Sequence, residues 1–189
     1  MSTFEETVKL QTGAPLRSED LSTVQVNVGL RCNLACKHCH LKASPKRTEV
    51  MPWEVMSTVV ALTRAAGCRQ VDITGGAPEL NPNLDRFIRT LADQGTRCQV
   101  RTNLTVLLEP EHEHYMELFR EHQVTLVASL PCYLEQNVDG QRGAGVYRDS
   151  VEAIRRLNGL GYGTRPGLEL NLVYNPGGPV LPPEQSSLE

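Results

Sequence analysis

Three cysteines lie close together in the segment GLRCNLACKHCHLK, which covers residues 29–42. Cys32, Cys36 and Cys39 follow the spacing C-x3-C-x2-C. Thiolates bind soft and borderline metal ions, so three thiols in one short loop indicate a metal site. Structural zinc sites usually have four protein ligands, often as two C-x2-C pairs, and the sequence contains no second pair.

A cubic four-iron cluster offers a different use for three cysteines, because they would fill three of its four corners. The fourth iron would keep an open coordination position, as the metal of a catalytic zinc site does. Two alternatives remain open from the residues themselves. His38 or His40 could complete a Cys3His zinc site, or the three thiols could be packed without a common ligand. The spacing favours the cluster.

The elements that must position this loop alternate between strand-like and helical patterns. The predicted strands cover 24–29, 70–76, 98–103, 124–130 and 168–175, and the predicted helices cover 52–67, 81–95, 110–122 and 146–161. Such alternation indicates an α/β fold of parallel strands with right-handed crossovers, either an open doubly wound sheet or a barrel or part of one. In both architectures, ligands bind beyond the carboxyl ends of the strands.

The unusual motifs all fall at these carboxyl ends. The cysteines follow the first strand, a glycine pair ends the second, Thr102 and Asn103 end the third, and Ser129 and Cys132 lie at the end of the fourth. Glycine lets a backbone approach a ligand that a Cβ would repel. The polar segment 131–146 is predicted to be a long loop, of a kind that is often functional.

Two predicted helices have recognisable boundaries. Pro52 and Gly67 mark the start and the end of the first, and Asn81 is predicted to cap the second. The buried stripe of that second helix is predicted to consist of Leu84, Phe87, Ile88 and Leu91. Cys68 and Cys98 precede the second and third strands, at the opposite end from the cysteine loop, and are predicted to be packed thiols.

The composition limits the partners of the protein. The chain has 189 residues, 40% of them hydrophobic and 22% charged, which suits one globular domain. A net charge of −3 without a long basic run gives no support for a nucleic acid or an anionic membrane as partner. No apolar run reaches the ~18 residues of a membrane span, and the first residues do not form a secretory signal. We therefore expect a cytoplasmic protein with reduced cysteines.

The spacing of Cys32, Cys36 and Cys39 resembles the hallmark motif of the radical S-adenosylmethionine (SAM) superfamily. The resemblance implies a partial TIM-like (βα) barrel in which these three cysteines bind a [4Fe–4S] cluster and the open iron chelates the amino and carboxylate groups of SAM. An electron from the cluster then breaks the sulfonium–C5′ bond and yields a 5′-deoxyadenosyl radical. It also implies an external electron donor similar to flavodoxin or ferredoxin, and a small-molecule substrate.

Further motifs extend the resemblance. The segment Gly75-Gly76-Ala77-Pro78 is similar to the Gly-Gly-Glu-Pro motif of the family, which meets the methionyl amino group of SAM, although Ala77 replaces the glutamate. Thr102 and Asn103 resemble a pair that lies near the methionyl end of SAM in several subfamilies. Ser129 lies where the family often places a hydroxyl near the ribose. Asn103 could instead cap a turn, and Ser129 could satisfy a backbone group.

Several segments narrow the resemblance to one branch of the family. VDITGGAPELNP, VRTNLTVL, VASLPCYLEQNVDGQRG and LNLVYNPGGPVLPPEQ look like the branch with a Cys-rich C-terminal domain that is associated with arsenosugar biosynthesis. This implies modification of a small methylated arsenical, by adding the deoxyadenosyl group to trivalent arsenic. Cys132 could bind such a thiophilic substrate or be catalytic, or it could be an inert buried thiol. A peptide or another organic substrate is the alternative.

The sequence also departs from this family pattern. The family core has six βα units, whereas five strands are predicted here, and the Cys-rich region is absent. We therefore expect a C-terminally truncated radical SAM core over 1–189, with an N-terminal lead-in over 1–23 and an irregular tail over 176–189. Cluster loading is expected to survive in such a chain, but turnover by the chain alone is expected to be impaired.

Overall fold

A parallel sheet forms the centre of the protein in a computed structural model that describes residues 3–15 and 20–175. Its five strands are β1 (Thr23–Asn27), β2 (Gln70–Thr74), β3 (Arg97–Thr102), β4 (Thr125–Ser129) and β5 (Leu170–Val173). They lie in the sheet in chain order, and every neighbouring pair is parallel. A doubly wound sheet reverses its strand order at a switch point, so the observed order confirms part of a (βα) barrel.

Six α-helices accompany the sheet in the described part of the chain. They are α1 (Phe4–Thr12), α2 (Trp53–Ala65), α3 (Leu84–Asp93), α4 (His114–Glu121), α5 (Glu135–Arg142) and α6 (Val146–Gly159). The four predicted helices are present, although α4 begins four residues later than expected. The lead-in contains α1, which was not predicted. The segment 131–146 contains α5, so the prediction of a long loop there was wrong.

The two faces of the sheet differ in polarity because successive strand residues point to opposite sides. One face is apolar and fully or nearly fully buried, with Val26, Ile73, Val100 and Leu126 at its centre. The other face is polar: Gln25 pairs in register with Asp72, Asp72 with Gln99, and Gln99 with Thr125. Parallel sheets are usually covered by apolar residues on both faces. The polar face is therefore the side on which to look for a binding function.

The buried stripe predicted for α3 is confirmed, because none of its four residues is exposed to solvent. The predicted start of this helix was wrong, since its N-cap is Asn83 and not Asn81. The buried side-chain amide of Asn81 instead donates hydrogen bonds to the backbone carbonyls of Val28, at 2.8 Å, and Met51, at 3.0 Å. It thereby joins the segment after β1 to the segment before α2.

Gly67 follows α2 with a φ of +62°, as a glycine at the end of a helix commonly does. Cys68 and Cys98 are buried, which confirms them as packed thiols, and burial raises the pKa of Cys98 to about 12.

The predicted tail over 176–189 lies outside the described residues. None of the helices in the described ranges has the length and apolar character that crossing a bilayer requires.

The contribution of the core can be measured with two matched leucines in helices. Leu91 in α3 is fully buried, whereas Leu62 in α2 is 62% exposed. We expect Leu91→Ala to lower the free energy of unfolding by about 2–5 kcal/mol, because it leaves a cavity. Leu62→Ala should change it by less than about 0.5 kcal/mol. Urea denaturation of the two variants checks this, and equal losses would contradict the described packing.

Candidate functional site

A cavity of about 310 Å³ opens at the carboxyl ends of the central strands. Most of the predicted site residues line it together: Cys32, Cys36, Cys39, Gly75, Gly76, Thr102, Asn103 and Ser129. Three predicted residues do not line it, namely Ala77, Pro78 and Cys132. The topology explains this gathering, because parallel strands bring all their carboxyl ends to one edge of the sheet.

The sulfur of Cys32 is held from two directions. It accepts hydrogen bonds from the backbone N–H of Leu34, at 3.4 Å, and from the side-chain amide of Asn103, at 3.5 Å. Burial raises the pKa of Cys32, and the neighbouring thiols of Cys36 and Cys39 raise it further, although both hydrogen bonds act against the rise. A thiol in this position becomes a thiolate readily only when a positive charge, such as a metal, is nearby.

The arrangement of donors can be compared with what a metal site needs. Among the described residues, no three His, Cys, Asp or Glu side chains are grouped closely enough to hold one metal ion. A zinc site places all its donors within about 2.3 Å of one centre, so the Cys3His alternative gains no support. In a cubic cluster each thiolate binds a different iron, which allows the thiols to lie further apart. Three thiols in the lining of one cavity, without a carboxylate among the lining residues, fit such a cluster.

The glycine pair after β2 serves to dock the cysteine loop. The N–H of Gly76 donates to the carbonyl of Gly29 at 3.0 Å, and the N–H of Ala77 donates to the carbonyl of Arg31 at 2.9 Å. A Cβ on Gly75 would lie 2.7 Å from the carbonyl oxygen of Gly29, and one on Gly76 would overlap the carbonyl of Arg31. Glycine is therefore required here because two backbones meet, a reason that the sequence did not reveal.

The remainder of this motif packs into the protein. Ala77 is buried in the main apolar core, and Pro78 begins the short 3-10 turn Pro78–Leu80 and is itself buried. Neither side chain reaches the cavity. Only the glycines of the four-residue motif therefore contribute to the lining.

The end of β3 fixes the cysteine loop from a second side. The amide of Asn103 donates to the side-chain oxygen of Asn33 at 2.6 Å, and its own oxygen accepts from the N–H of Val106 at 3.1 Å. Asn33 in turn donates to Glu109 at 2.8 Å. Thr102 is buried, and its hydroxyl accepts from the N–H of Leu104 at 3.1 Å. The Thr-Asn pair thus orders both the strand end and the loop.

Ser129 and Cys132 follow β4 but have different environments. Ser129 is exposed at the cavity. Cys132 is buried in a separate apolar cluster with Val138 and Val146. Burial alone would raise the pKa of Cys132, but hydrogen bonds to its sulfur outweigh that effect and lower the pKa, including one from Asn137 at 3.3 Å. Cys132 therefore lies next to the cavity and not in its lining.

Arg142, which sequence reasoning missed, is a buried cation at the cavity. Its guanidinium donates to the backbone carbonyls of Ser129 and Asn103, the latter at 2.9 Å, and has no carboxylate partner among the described residues. Burial lowers the pKa of His38, and the nearby charge of Arg142 lowers it further. A buried cation without a counter-ion is costly, so the site favours an anionic occupant. No signal in the sequence marked this residue, since its segment was expected to be a loop.

Glu79 is a buried ionisable group that sequence reasoning did not single out. Neither carboxylate oxygen has a hydrogen-bond partner of normal geometry among the described residues. Burial raises the pKa of Glu79 to about 7, and the nearby hydroxyl of Thr102 limits the rise. Because Thr102 lines the cavity, this carboxyl group lies directly behind the wall of the site.

Comparison with known proteins shows what this arrangement is similar to. A family profile described as the Radical SAM superfamily matches residues 26–177. The probable GTP 3′,8-cyclase of Sulfurisphaera tokodaii is 33% identical over 90 residues, which cover 48% of this chain and 28% of that protein. The subtilosin biosynthesis protein AlbA of Bacillus subtilis is 24% identical over 143 residues, which cover 74% of this chain and 31% of that protein.

A solved structure shows the same fold. SuiB of Streptococcus suis, bound to S-adenosylmethionine, superimposes with a TM-score of 0.65 at 16% identity over 89% of this chain and 36% of that chain. A structure of SuiB bound to its precursor peptide SuiA matches similarly, with a TM-score of 0.65. The chain therefore spans about a third of the length of these three proteins.

Two glycines provide a test of the docking contact. We expect Gly76→Ala to lower the free energy of unfolding by about 1–3 kcal/mol, because a backbone carbonyl cannot yield to the new methyl group. Gly159→Ala at the end of α6 meets nothing within 4 Å and should instead stabilise the protein by about 0.5 kcal/mol. Urea denaturation gives the stability, and limited proteolysis within 29–49 reports loop release. A neutral effect of Gly76→Ala would argue against the contact.

Glu79 predicts a pH dependence of stability. Its pKa is about 7 in the folded protein, against an ordinary value of 4.5, so the folded state binds this proton more tightly than the unfolded state. The stabilisation is therefore complete below pH 4.5 and is lost as the pH rises to about 7. The loss is on the order of 3 kcal/mol, since one pKa unit corresponds to about 1.4 kcal/mol.

Glu79→Gln removes the titration and should flatten this part of the pH profile. The variant should gain stability relative to the wild type as the pH rises from 5 to 8, measured by urea denaturation at each pH. Glu121→Gln, at an exposed position of α4, serves as the control and should leave the profile unchanged. A Glu79→Gln profile parallel to that of the wild type would refute the assignment.

Proposed function

The chain belongs to the radical SAM superfamily, whose members use a [4Fe–4S] cluster and SAM, and on that premise we propose that it forms the core of such an enzyme. Cys32, Cys36 and Cys39 would be the three cluster ligands. One observation carries the proposal: these three thiols line a single cavity together with the glycine pair and the Thr-Asn pair, at the carboxyl ends of the strands.

The cluster, when bound, would supply the electron that breaks the sulfonium–C5′ bond of SAM and releases methionine and a 5′-deoxyadenosyl radical. The chain's own residues supply position and charge. The hydrogen bonds from Leu34 and Asn103 fix the sulfur of Cys32, and N–H donors to ligand sulfur tune an iron–sulfur centre. The cation of Arg142 complements negative charge in the cavity. The buried side chain of Ala43 keeps part of the lining apolar.

The proposed substrate is a small methylated arsenical that accepts the deoxyadenosyl group. The similarity of four separate sequence segments to the arsenosugar branch supports this substrate. Cys132 remains a candidate thiol for a thiophilic arsenical, since it lies beside the cavity and its pKa is lowered. We further propose a cytoplasmic location and a flavodoxin- or ferredoxin-like electron donor, because the reaction needs a reduced environment and an external electron.

A peptide substrate is the second candidate. AlbA acts in the biosynthesis of subtilosin, and SuiB has been crystallised with a precursor peptide. The opening of the polar face of the sheet to solvent would leave room for a larger substrate. The two candidates differ in the product that a longer protein containing this core should form.

Loss of a cysteine ligand should abolish the iron centre. After anaerobic reconstitution we expect the wild type to hold about four iron atoms per chain, the content of one cubic cluster. Cys36→Ala should lose most of this iron and of the visible absorption, whereas Cys68→Ala, at the opposite end of the sheet, should retain both. Iron analysis and absorption spectroscopy make the measurement. One zinc per chain in place of iron would establish the zinc alternative.

The reaction itself is tested by product formation. Reconstituted protein that receives SAM and dithionite should release 5′-deoxyadenosine, quantified by chromatography, and Cys36→Ala should not. For a longer protein that contains this core, a methylated trivalent arsenical and a ribosomally made peptide are compared as substrates. Modification of the peptide alone would reject the arsenical, and an iron-loaded protein that never forms 5′-deoxyadenosine would reject the radical chemistry.

A further inference from the structure

A carboxylate on the polar face of the sheet is held by three neighbouring side chains. Asp72 on β2 accepts hydrogen bonds from Gln25 on β1, at 2.7 Å, and from Gln99 on β3, at 2.9 Å. It also pairs with Arg101 on β3, at 2.8 Å. Asp72 is only 5% exposed, although it lies on the partly open face. Its position and orientation are therefore fixed by the surrounding donors.

The strand register explains how this group forms. Gln25, Asp72 and Gln99 are direct register partners on adjacent strands, so their side chains lie at one level of the sheet. Arg101 lies two residues further along β3 and reaches back to Asp72 with two different nitrogens. Nε lies 3.0 Å from one carboxylate oxygen, and Nη2 lies 2.8 Å from the other. Such a fork fixes the plane of the guanidinium.

Part of this guanidinium remains available to a ligand. The side chain of Arg101 is 43% exposed and lines the same cavity as the three cysteines. Its Nη1 makes no hydrogen bond to any residue in the described ranges 3–15 and 20–175. Arg101 precedes Asn103, which contacts Cys32, by two residues. It therefore lies about 7 Å further from the cysteine loop along the strand direction.

The carboxylate of Asp72 is buried, so it requires hydrogen bonds, which the two glutamines and Arg101 supply. Only two of the guanidinium nitrogens of Arg101 are used in this way, and its side chain stays 43% exposed. The bonds to Asp72 therefore hold the other edge of the guanidinium toward the cavity, and such pre-orientation lowers the entropic cost of binding. Asp72 balances the charge of Arg101, but Arg142 in the same lining has no carboxylate partner among the described residues, which favours a ligand with negative charge.

We propose that Arg101, oriented by Asp72, binds an oxyanionic group of the substrate at a level of the cavity below the cysteine loop. The identity of this ligand as the substrate rests on the proposed function, whereas the anion site itself does not. The recognised chemistry is a small oxyanion, such as a carboxylate, a phosphate or an arsinate, that accepts N–H bonds from the guanidinium edge. Arg101 is thus a specificity-determining residue, and Asp72 is a positioning residue.

Nuclear magnetic resonance of the arginine side chains tests the site directly. Protein labelled with ¹⁵N-arginine is titrated with acetate, inorganic phosphate and dimethylarsinate, and the Nε–H signals are followed. The Arg101 signal is assigned by its disappearance in Arg101→Lys. We expect a saturable shift of this signal with at least one probe, and the probe that binds most tightly identifies the class of oxyanion.

Variants separate binding from a structural role. Asp72→Asn keeps the shape of the side chain but loses one of the two acceptor oxygens that hold Arg101, and should weaken the titration by about tenfold, the cost of immobilising one long side chain on binding. Arg101→Lys should weaken the saturable response of the remaining arginine signals, including that of Arg142 in the same lining. Arg97→Lys, on the same strand and face but at its opposite end, is the matched control and should bind as the wild type does.

Three results would overturn the proposal. The first is that no probe shifts the Arg101 signal. The second is that Asp72→Asn binds as tightly as the wild type while circular dichroism shows that both are folded. In the third, SAM alone saturates the Arg101 signal in the reconstituted protein and displaces the probe, so that Arg101 binds the cosubstrate. The titration needs no iron, so anion binding by a protein that cannot load a cluster supports this site and refutes only the proposed function.

Discussion

The close contact between two backbones is the constraint on which the site depends. The chain after β1 and the chain after β2 approach so closely that hydrogen bonds join Gly76 to Gly29 and Ala77 to Arg31. The glycine pair leaves no space for a Cβ between them. Since Cys32 follows Arg31 directly, this contact determines where the first thiol lies. The start of the loop that carries the thiols is thus held by backbone hydrogen bonds at the carboxyl end of the sheet.

Side chains from more distant parts of the chain complete this arrangement. Asn103 reaches the sulfur of Cys32 from the end of β3, and Asn81 secures the base of the same loop through the carbonyl of Val28. Arg142 comes from α5 and contacts the ends of β3 and β4 through their carbonyls. The cavity that results contains soft thiols and guanidinium groups together. The thiols suit a soft metal centre, and the guanidinium groups suit a ligand with negative charge.

The regular parts of the fold could be predicted because they repeat. Alternating strands and helices located all five strands, and the 3.6-residue period located the buried stripe of α3. α5 was missed because its sequence, EQNVDGQR, has no apolar stripe. Its Val138 is buried in a cluster with Cys132 and Val146, and its Arg142 is buried at the ends of β3 and β4, so both depend on distant residues. Asn81 was misassigned because Asn followed by Pro is a common start of a helix. Its hydrogen bonds to Val28 and Met51 join residues far apart in the chain, so no local pattern predicts them.

Residue types and spacing were sufficient to predict that the three thiols, the glycine pair and the Thr-Asn pair belong to one site, because each of these is a short motif. The partners of those motifs follow from the folded chain alone. Asn103 is 71 residues from Cys32, and Arg101 is 29 residues from Asp72. Contacts over such separations depend on which strands are neighbours and in what register they pair, and neither property is periodic in the chain. The residue types of the loop can therefore be read from the local sequence, whereas the charge and shape of the cavity depend on how the strands pair in the sheet.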